Sequence, residues 1–470
     1  MKNIWFVKND QKIEEVGEIV FNLRSKNNKS NVKTDVENLW RLFSEKTLAE
    51  IVEDFLIVAI AVFSVDKKIS RKSSSDSWGR ELNLHIPVLK IEEWVAVTED
   101  LEESLSFLTG DIWNISFYRT NERFRGDKIN KKFNIKNPEA FDCVSLFSGG
   151  LDSFCGALTL LDEGNNPLFL GFKEYSLLPK RQNLLISSLR NQYTQQNIDF
   201  IQFNVSPGRP TFNGEQVLLG ENTSRSRSLL FIAGAIAVAS MVGNKIPVYI
   251  PENGFIGLNV PLTQSRLGSC STRTTHPYFI RLINEILQKL GIEHKLDNFY
   301  STKSKGEIIH EHRNNAVFQE MHNKTLSCSH PAQSRYDAIS PPINCGYCYP
   351  CLIRKASLVV NGFVEDHYNP KYTIDKEFIE RNNKVDGKAS DLKAVLFSIR
   401  RFIDNEQNSL FISGLLRRHG KLAQTEIDSY EQVYRKSINE LLFLMKYEDD
   451  KNNSKLLEYM GLKEYYEQLH

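Results

Sequence analysis

The chain has 470 residues, which at about 150 residues per domain leaves room for about three domains. Hydrophobic residues make up 41% and charged residues 25%, close to the globular average, which excludes disorder as the main state. The 59 Lys and Arg balance the 58 Asp and Glu to a net charge of +1, so nucleic-acid binding would need a local basic patch.

In chain order, residues 1–138 read as a mixed α+β accessory region. Val52–Ser64 is apolar enough for a buried helix, Glu81–Val88 alternates with the period of a half-buried strand, and Trp113–Arg119 is a second strand candidate. Lys67–Ser77, rich in Lys, Arg and Ser, reads as an exposed loop, and the basic stretch Arg119–Asn137 as a linker.

Residues 139–365 alternate between the two periods. Strand candidates are Cys143–Phe147, Pro167–Phe172, Asp199–Val205, Pro247–Ile250 and Glu293–Asp297. Between them lie helical stretches Ser153–Leu161, Lys180–Gln196, Arg225–Val242 and Pro277–Leu290. This alternation predicts an α/β fold with a doubly wound parallel sheet. Residues 366–470 are charged and helically periodic, as at Ile399, Phe402 and Ile403, and predict a helical C-terminal region. The longest apolar run, Leu229–Val242, falls short of the ~20 residues that span a bilayer and reads as a buried helix. With no signal-peptide pattern at Met1–Asp10, a cytoplasmic location is expected.

One motif reads as a phosphate-binding loop. Ser148-Gly149-Gly150-Leu151-Asp152-Ser153 joins the first of these strands to a helix. The glycines allow a tight turn and close approach to a ligand, and the helix start aims free N–H groups and a positive dipole at an anion. Ser148 and Ser153 can add hydroxyl donors. Asp152 cannot face a bare phosphate, so it holds Mg²⁺ or caps the turn. No Gly-Lys-Ser/Thr follows, which excludes a Walker A loop.

The other motif binds metal. Of seven cysteines, Cys345, Cys348 and Cys351 form Cys-x2-Cys-x2-Cys, with Cys328 upstream. An odd count crowded this way suits a metal site in a reducing compartment better than a disulfide framework. Four thiolates suit a closed, structural Zn²⁺ site, with a [4Fe–4S] cluster as the competitor. Cys143, Cys155 and Cys270 lack such spacing and read as core or loop residues.

The hexapeptide loop resembles the PP-loop of the ATP pyrophosphatases, enzymes with a HUP-type core that split ATP between its α- and β-phosphates and adenylate a substrate oxygen. From Val144 to about Leu358 the chain is similar to the QueC family, the 7-cyano-7-deazaguanine (preQ0) synthases. That likeness covers a bit under half the chain and rests on the loop and on Lys324-Thr325-Leu326-Ser327-Cys328 followed by Cys-Gly-x-Cys-x-x-Cys and Arg354-Lys355. The resemblance implies ATP and Mg²⁺ at Ser148, Gly149, Gly150, Asp152 and Ser153. It further implies phosphate or acyl contacts from Arg227, which precedes a long apolar helix, and from Lys305 in Ser304-Lys305-Gly306-Glu307.

The departures lie on the acceptor side. Gly268–Pro277, with Arg273 and His276, and Lys180-Arg181-Gln182 replace the family's Tyr-Pro-Asp-Cys-Arg and Gln-Arg-His; Arg273, His276 and Lys180 are therefore the substrate-binding candidates. The long flanking regions resemble the QueC-like proteins of bacterial anti-phage systems, the QatC group of Qat operons and relatives in type IV CBASS operons. The expectation is an AMP-forming ligase that activates 7-carboxy-7-deazaguanine and transfers it to an amine of a partner protein encoded in the same operon. Competing readings are a preQ0 synthase using ammonia, a tRNA-modifying PP-loop enzyme, and a non-catalytic nucleotide-binding scaffold. His310-Glu311-His312 lies on one short helix, where i and i+2 do not share a face, so no second metal site is expected there.

Overall fold

A computed structural model describes residues 3–8, 18–23, 31–43, 47–71, 79–124, 135, 137–212, 215–217, 221, 224–262, 273–364, 367–384, 387–408, 410–418 and 420–463. Parts of the Lys67–Ser77 loop and the Arg119–Asn137 linker, and Cys270, lie outside the described residues. In chain order the described strands are β1 (Asn3–Val7), β2 (Ile19–Asn22), β3 (Val32–Thr34), β4 (Glu81–Val88), β5 (Ile112–Arg119), β6 (Cys143–Leu146), β7 (Pro167–Phe172), β8 (Asp199–Phe203), β9 (Val205–Pro207), β10 (Thr211–Phe212), β11 (Glu215–Gln216), β12 (Val248–Tyr249) and β13 (Leu296–Asp297).

The fold is α/β, with parallel sheets and a helical C-terminal region. The middle sheet runs β13–β12–β6–β7–β8, and every pair in it is parallel. The chain steps outward from β6 to β8, then returns to place β12 on the other side of β6. The C-terminal ends of β6 and β12 thus stand side by side where the strand order reverses, the place at which open α/β sheets bind ligands. Helices cover both faces, so β7 is buried along its whole length. Leu168 and Leu170 join the cluster that contains helices Arg227–Val242 and Pro277–Lys289. Phe169 between them joins the opposite cluster, with helices Leu151–Asp162 and Leu178–Gln192.

The N-terminal region has a second sheet, β11–β10–β2–β1–β4–β5, parallel except for the β10–β11 hairpin and its pairing with β2. Two edge strands of this sheet come from the middle of the chain, and β9 pairs with β3. The expected helix is present and longer, Glu50–Lys68, and packs on helix Arg227–Val242. One continuous hydrophobic cluster therefore contains Leu56, Val58, Leu84, Leu170 and Ala235. Polar groups reinforce the join. Asp66 takes Arg71 at 2.9 Å and Arg80 at 2.6 Å on Oδ1, while Oδ2 accepts from the N–H groups of Arg225 (2.7 Å) and Ser226 (2.8 Å). Burial pushes the Asp66 carboxyl up, and Arg80 and Arg71 more than reverse that, holding it below the usual range.

The C-terminal helices Ser390–Asp404, Phe411–Arg417 and Gln424–Asn452 pack into a cluster with Cys345, Cys348, Cys351 and helix Tyr349–Val359. Phe402 and Leu416 are buried in that packing, whereas Phe397 and Leu410 are exposed. No described helix is long and apolar enough to cross a membrane.

Asp66→Ala would leave two buried guanidinium groups short of a partner. It should cost about 3–5 kcal/mol of stability, read by urea unfolding. A loss below about 1 kcal/mol would contradict the role assigned to this network.

Candidate functional site

β6 ends at Leu146, and Ser148–Gly150 turns the chain into helix Leu151–Asp162. Gly149 has φ 83°, and a Cβ there would come within 3.1 Å of Gln182, so both backbone and space call for glycine. The buried Gln182 amide donates to the carbonyls of Phe147 (3.1 Å) and Ser148 (3.2 Å), fixing the turn from below. Ser148 Oγ lies 3.1 Å from Ser153 Oγ and accepts from Gly150 N–H at 3.2 Å. Ser327 Oγ accepts from Leu151 N–H at 3.1 Å, and Leu326 N–H donates to Gly149 O at 2.9 Å. The segment just before Cys328 is thus stitched to the loop.

Asp152 is held from two further elements. Lys305 Nζ lies 2.7 Å from Asp152 Oδ2, and Asn253 Nδ2 donates to Oδ1 at 3.2 Å. Lys305 is only 3% exposed, at the first position of helix Lys305–His312, which Ser304 and Glu307 close with a capping box. Of the sequence candidates, the structure brings together Ser148, Gly149, Gly150, Asp152, Ser153 and Lys305.

Two carboxylates beside this group went unseen in the sequence. Glu252 follows β12, and its Oε2 accepts from Thr275 Oγ1 at 2.6 Å. Burial pushes its carboxyl up to about 7, opposed by the Thr275 bond and by the charges of Lys305 and Arg227, and assisted by Asp152. Glu440, from the long C-terminal helix, accepts from Ser304 Oγ and from Gly306 N–H (3.1 Å) and so grips the start of the Lys305 helix. Burial pushes Glu440 up to about 7 as well, against those bonds.

A cavity of about 500 Å³ opens beside the loop. Its apolar side is Leu146, Leu170, Phe172 and Phe231, and Ser148, Glu174, Tyr175 and Arg227 supply polar groups. Its outer wall is the stretch Cys328–Gln333 of the cysteine knuckle. Arg227 pairs with Glu174 and stands over the Phe231 ring. Lys180 is exposed and does not line the cavity; its neighbour Arg181 reaches the carbonyls of Lys324 and Pro342, and Gln182 reaches the loop. Arg273 donates to Phe107 O at 2.7 Å and lies over that ring, and the buried His276 caps helix Pro277–Lys289 while meeting Phe107 edge-on. Both therefore contact the N-terminal region, and within that segment it is Thr275 that reaches Glu252. His312 is buried against Thr159 and Tyr300, and His310 is exposed, on separate helix sides.

The four knuckle sulfurs, of Cys328, Cys345, Cys348 and Cys351, all lie within 4.8 Å of one another. The Cys345–Cys351 and Cys348–Cys328 separations are both 3.9 Å. A tetrahedron with metal–sulfur bonds of ~2.3 Å has edges near 3.8 Å, so the four can hold an ion such as zinc. Gly346, at φ 88°, makes the turn, and N–H groups of Cys345 and His330 donate to Cys328 Sγ at 3.3 Å. Hydrogen bonding with Cys328 pulls the Cys345 thiol far below its ordinary range and pushes that of Cys348 up, while burial pushes Cys351 up. Full ionisation of such a set needs a cation at its centre. Cys143 and Cys155 are buried core residues, with thiols raised by burial.

In comparisons with known proteins, no family model and no curated protein matches this chain.

An acid whose carboxyl is raised in the fold binds its proton more tightly folded than unfolded. Its stability contribution is intact below the ordinary value of 4.5 and declines as pH rises through about 7. Wild-type protein should therefore lose more stability between pH 5 and pH 8 than Glu440→Gln does, by roughly 2 kcal/mol in urea unfolding at each pH. Equal pH slopes would show that burial does not load this carboxylate.

Proposed function

We propose that this chain is an AMP-forming ATP pyrophosphatase with a PP-loop, HUP-type core. In this reading it adenylates 7-carboxy-7-deazaguanine and transfers the acyl group to an amine, that of a partner protein, in anti-phage defence. The observation that carries the reading is the Ser148–Ser153 loop at the C-terminal end of β6, at the switch point of the sheet, with Lys305 paired to Asp152 and a cavity of about 500 Å³ alongside. The cavity is the size of a small-molecule site, and its apolar side suits a planar base.

The chemistry follows from the donors at hand. The loop N–H groups now satisfied by Ser148 and Ser327 hydroxyls are the ones a phosphate oxygen would take over. Lys305 and Arg227 are the cations placed to offset charge that builds on the α-phosphate as the carboxylate attacks it. Displaced pyrophosphate leaves, and the acyl group is left bonded to AMP. Asp152 and the hydroxyls of Ser148 and Ser153 form an all-oxygen donor set of the kind Mg²⁺ takes; when bound it would neutralise the leaving pyrophosphate. Holding both reactants at fixed positions on one sheet edge supplies much of the rate. The knuckle is assigned a structural Zn²⁺, which would keep the Cys328–Gln333 wall of the cavity in place.

With ATP, Mg²⁺ and 7-carboxy-7-deazaguanine, the protein should release pyrophosphate and AMP, and Asp152→Asn, which keeps a hydrogen-bond acceptor for the buried Lys305, should lower that rate at least about 100-fold in protein that is still folded by circular dichroism. A mutant with the normal rate would contradict the assignment. Purified protein should carry one Zn²⁺, and Cys348→Ser should lose it together with melting temperature, because metal binding here is coupled to folding. Iron with sulfide, or a metal-free protein of equal stability, would contradict the zinc assignment.

A further inference from the structure

We infer that Glu252 is the base of the second half-reaction, taking the proton that an amine nitrogen sheds as it displaces AMP from the adenylated carboxylate. The inference rests on the adenylation reading above and adds the residue that such a transfer requires.

Glu252 is held more firmly than a surface carboxylate needs to be. Asn298 clamps its backbone on both sides, accepting from Glu252 N–H at 3.2 Å and donating to Glu252 O at 2.8 Å. Thr275 orients Oε2 at 2.6 Å, and Oε1 has no hydrogen bond from the described residues. The next residue, Asn253, is fully buried and bonds Asp152, so Glu252 stands one residue from a direct contact with the loop. The charged groups acting on it come from three helices: Asp152, Lys305 and Arg227. Those are the same three charged residues to which the first half-reaction is assigned. It also follows β12, the strand paired with β6 at the switch point, so it stands across from the loop that follows β6, where a second reactant can enter opposite the first.

The step balances with what the site holds. A neutral amine attacks the acyl carbon, the C–N bond forms, and the C–O bond to AMP breaks, with AMP leaving as its dianion. The proton lost from nitrogen passes to the Glu252 carboxylate, which returns it to solvent. A carboxyl raised to about 7 by burial is half ionised near neutral pH and is a stronger base than an ordinary carboxylate. Asp152, paired with Lys305 and assigned to Mg²⁺, is committed to the first half-reaction.

The test compares full-length wild-type and Glu252→Gln proteins in two assays with 7-carboxy-7-deazaguanine. Carboxylate-dependent exchange of labelled pyrophosphate into ATP reads adenylation. Formation of the N-methoxy amide from methoxyamine reads transfer; this nitrogen is already unprotonated across the range tested, so pH acts on the enzyme. Glu252→Gln should lower the transfer-to-exchange ratio about 100-fold and abolish the rise of transfer with pH through about 7. Thr275→Val keeps the carboxylate but removes the hydroxyl that lowers its pKa, so it should move the rise to higher pH. An unchanged ratio in Glu252→Gln, or an unmoved profile in Thr275→Val, would overturn the assignment. Wild-type protein without carboxylate-dependent exchange would instead sink the adenylation reading and this inference with it.

Discussion

Lys305 is buried, and its Nζ lies 2.7 Å from the Asp152 carboxylate. A buried cation without its carboxylate is strongly destabilising, so the pair ties helix Lys305–His312 to the loop that follows β6. Several other contacts serve the same join. Asn253 reaches Asp152 from the end of β12, Ser327 and Leu326 fasten the knuckle segment to the loop, and Glu440 grips Ser304 and Gly306 from the C-terminal region. With Gln182 beneath it, four separate stretches of chain thus touch one turn of six residues, and Glu440 holds one of the four in place.

This convergence gives the long flanking regions a physical reason that a phosphate loop alone would not. The N-terminal helix Glu50–Lys68 lies against helix Arg227–Val242, and Asp66 fixes the backbone at Arg225 and Ser226, immediately before Arg227. The C-terminal helix Gln424–Asn452 fixes the other cation, Lys305, through Glu440. Each flank therefore bears on one of the two cations assigned to the site. Surface residues such as Phe397 and Leu410 are left over from that packing.

The sheet that carries the site was legible because apolar strands such as β7 alternate with crossover helices that have their own period. The loop and three of the four knuckle cysteines were legible because short spacing alone brings their residues together. The N-terminal sheet was not: β1 and β2 are short, and its edge is completed by β10 and β11 from some 190 residues away, a pairing that no local pattern announces. Glu252 and Glu440 were likewise silent, since one acidic residue in a loop or on a charged helix looks the same whether buried or solvated. Arg273 and His276 illustrate the converse. Their residue types suit substrate binding, yet Phe107 takes both, and the reach toward the loop falls to the uncharged Thr275 between them.

The proposed chemistry predicts cleavage of ATP between its α- and β-phosphates. Incubating the protein with Mg²⁺, 7-carboxy-7-deazaguanine and ATP labelled at the α-phosphate, then separating the nucleotides, reads this directly. Label appearing in AMP, and first in an acyl-AMP species when amine is withheld, is the predicted result. Label appearing in ADP would mean cleavage between the β- and γ-phosphates and would contradict the role given to Asp152, Lys305 and the Ser148–Ser153 loop.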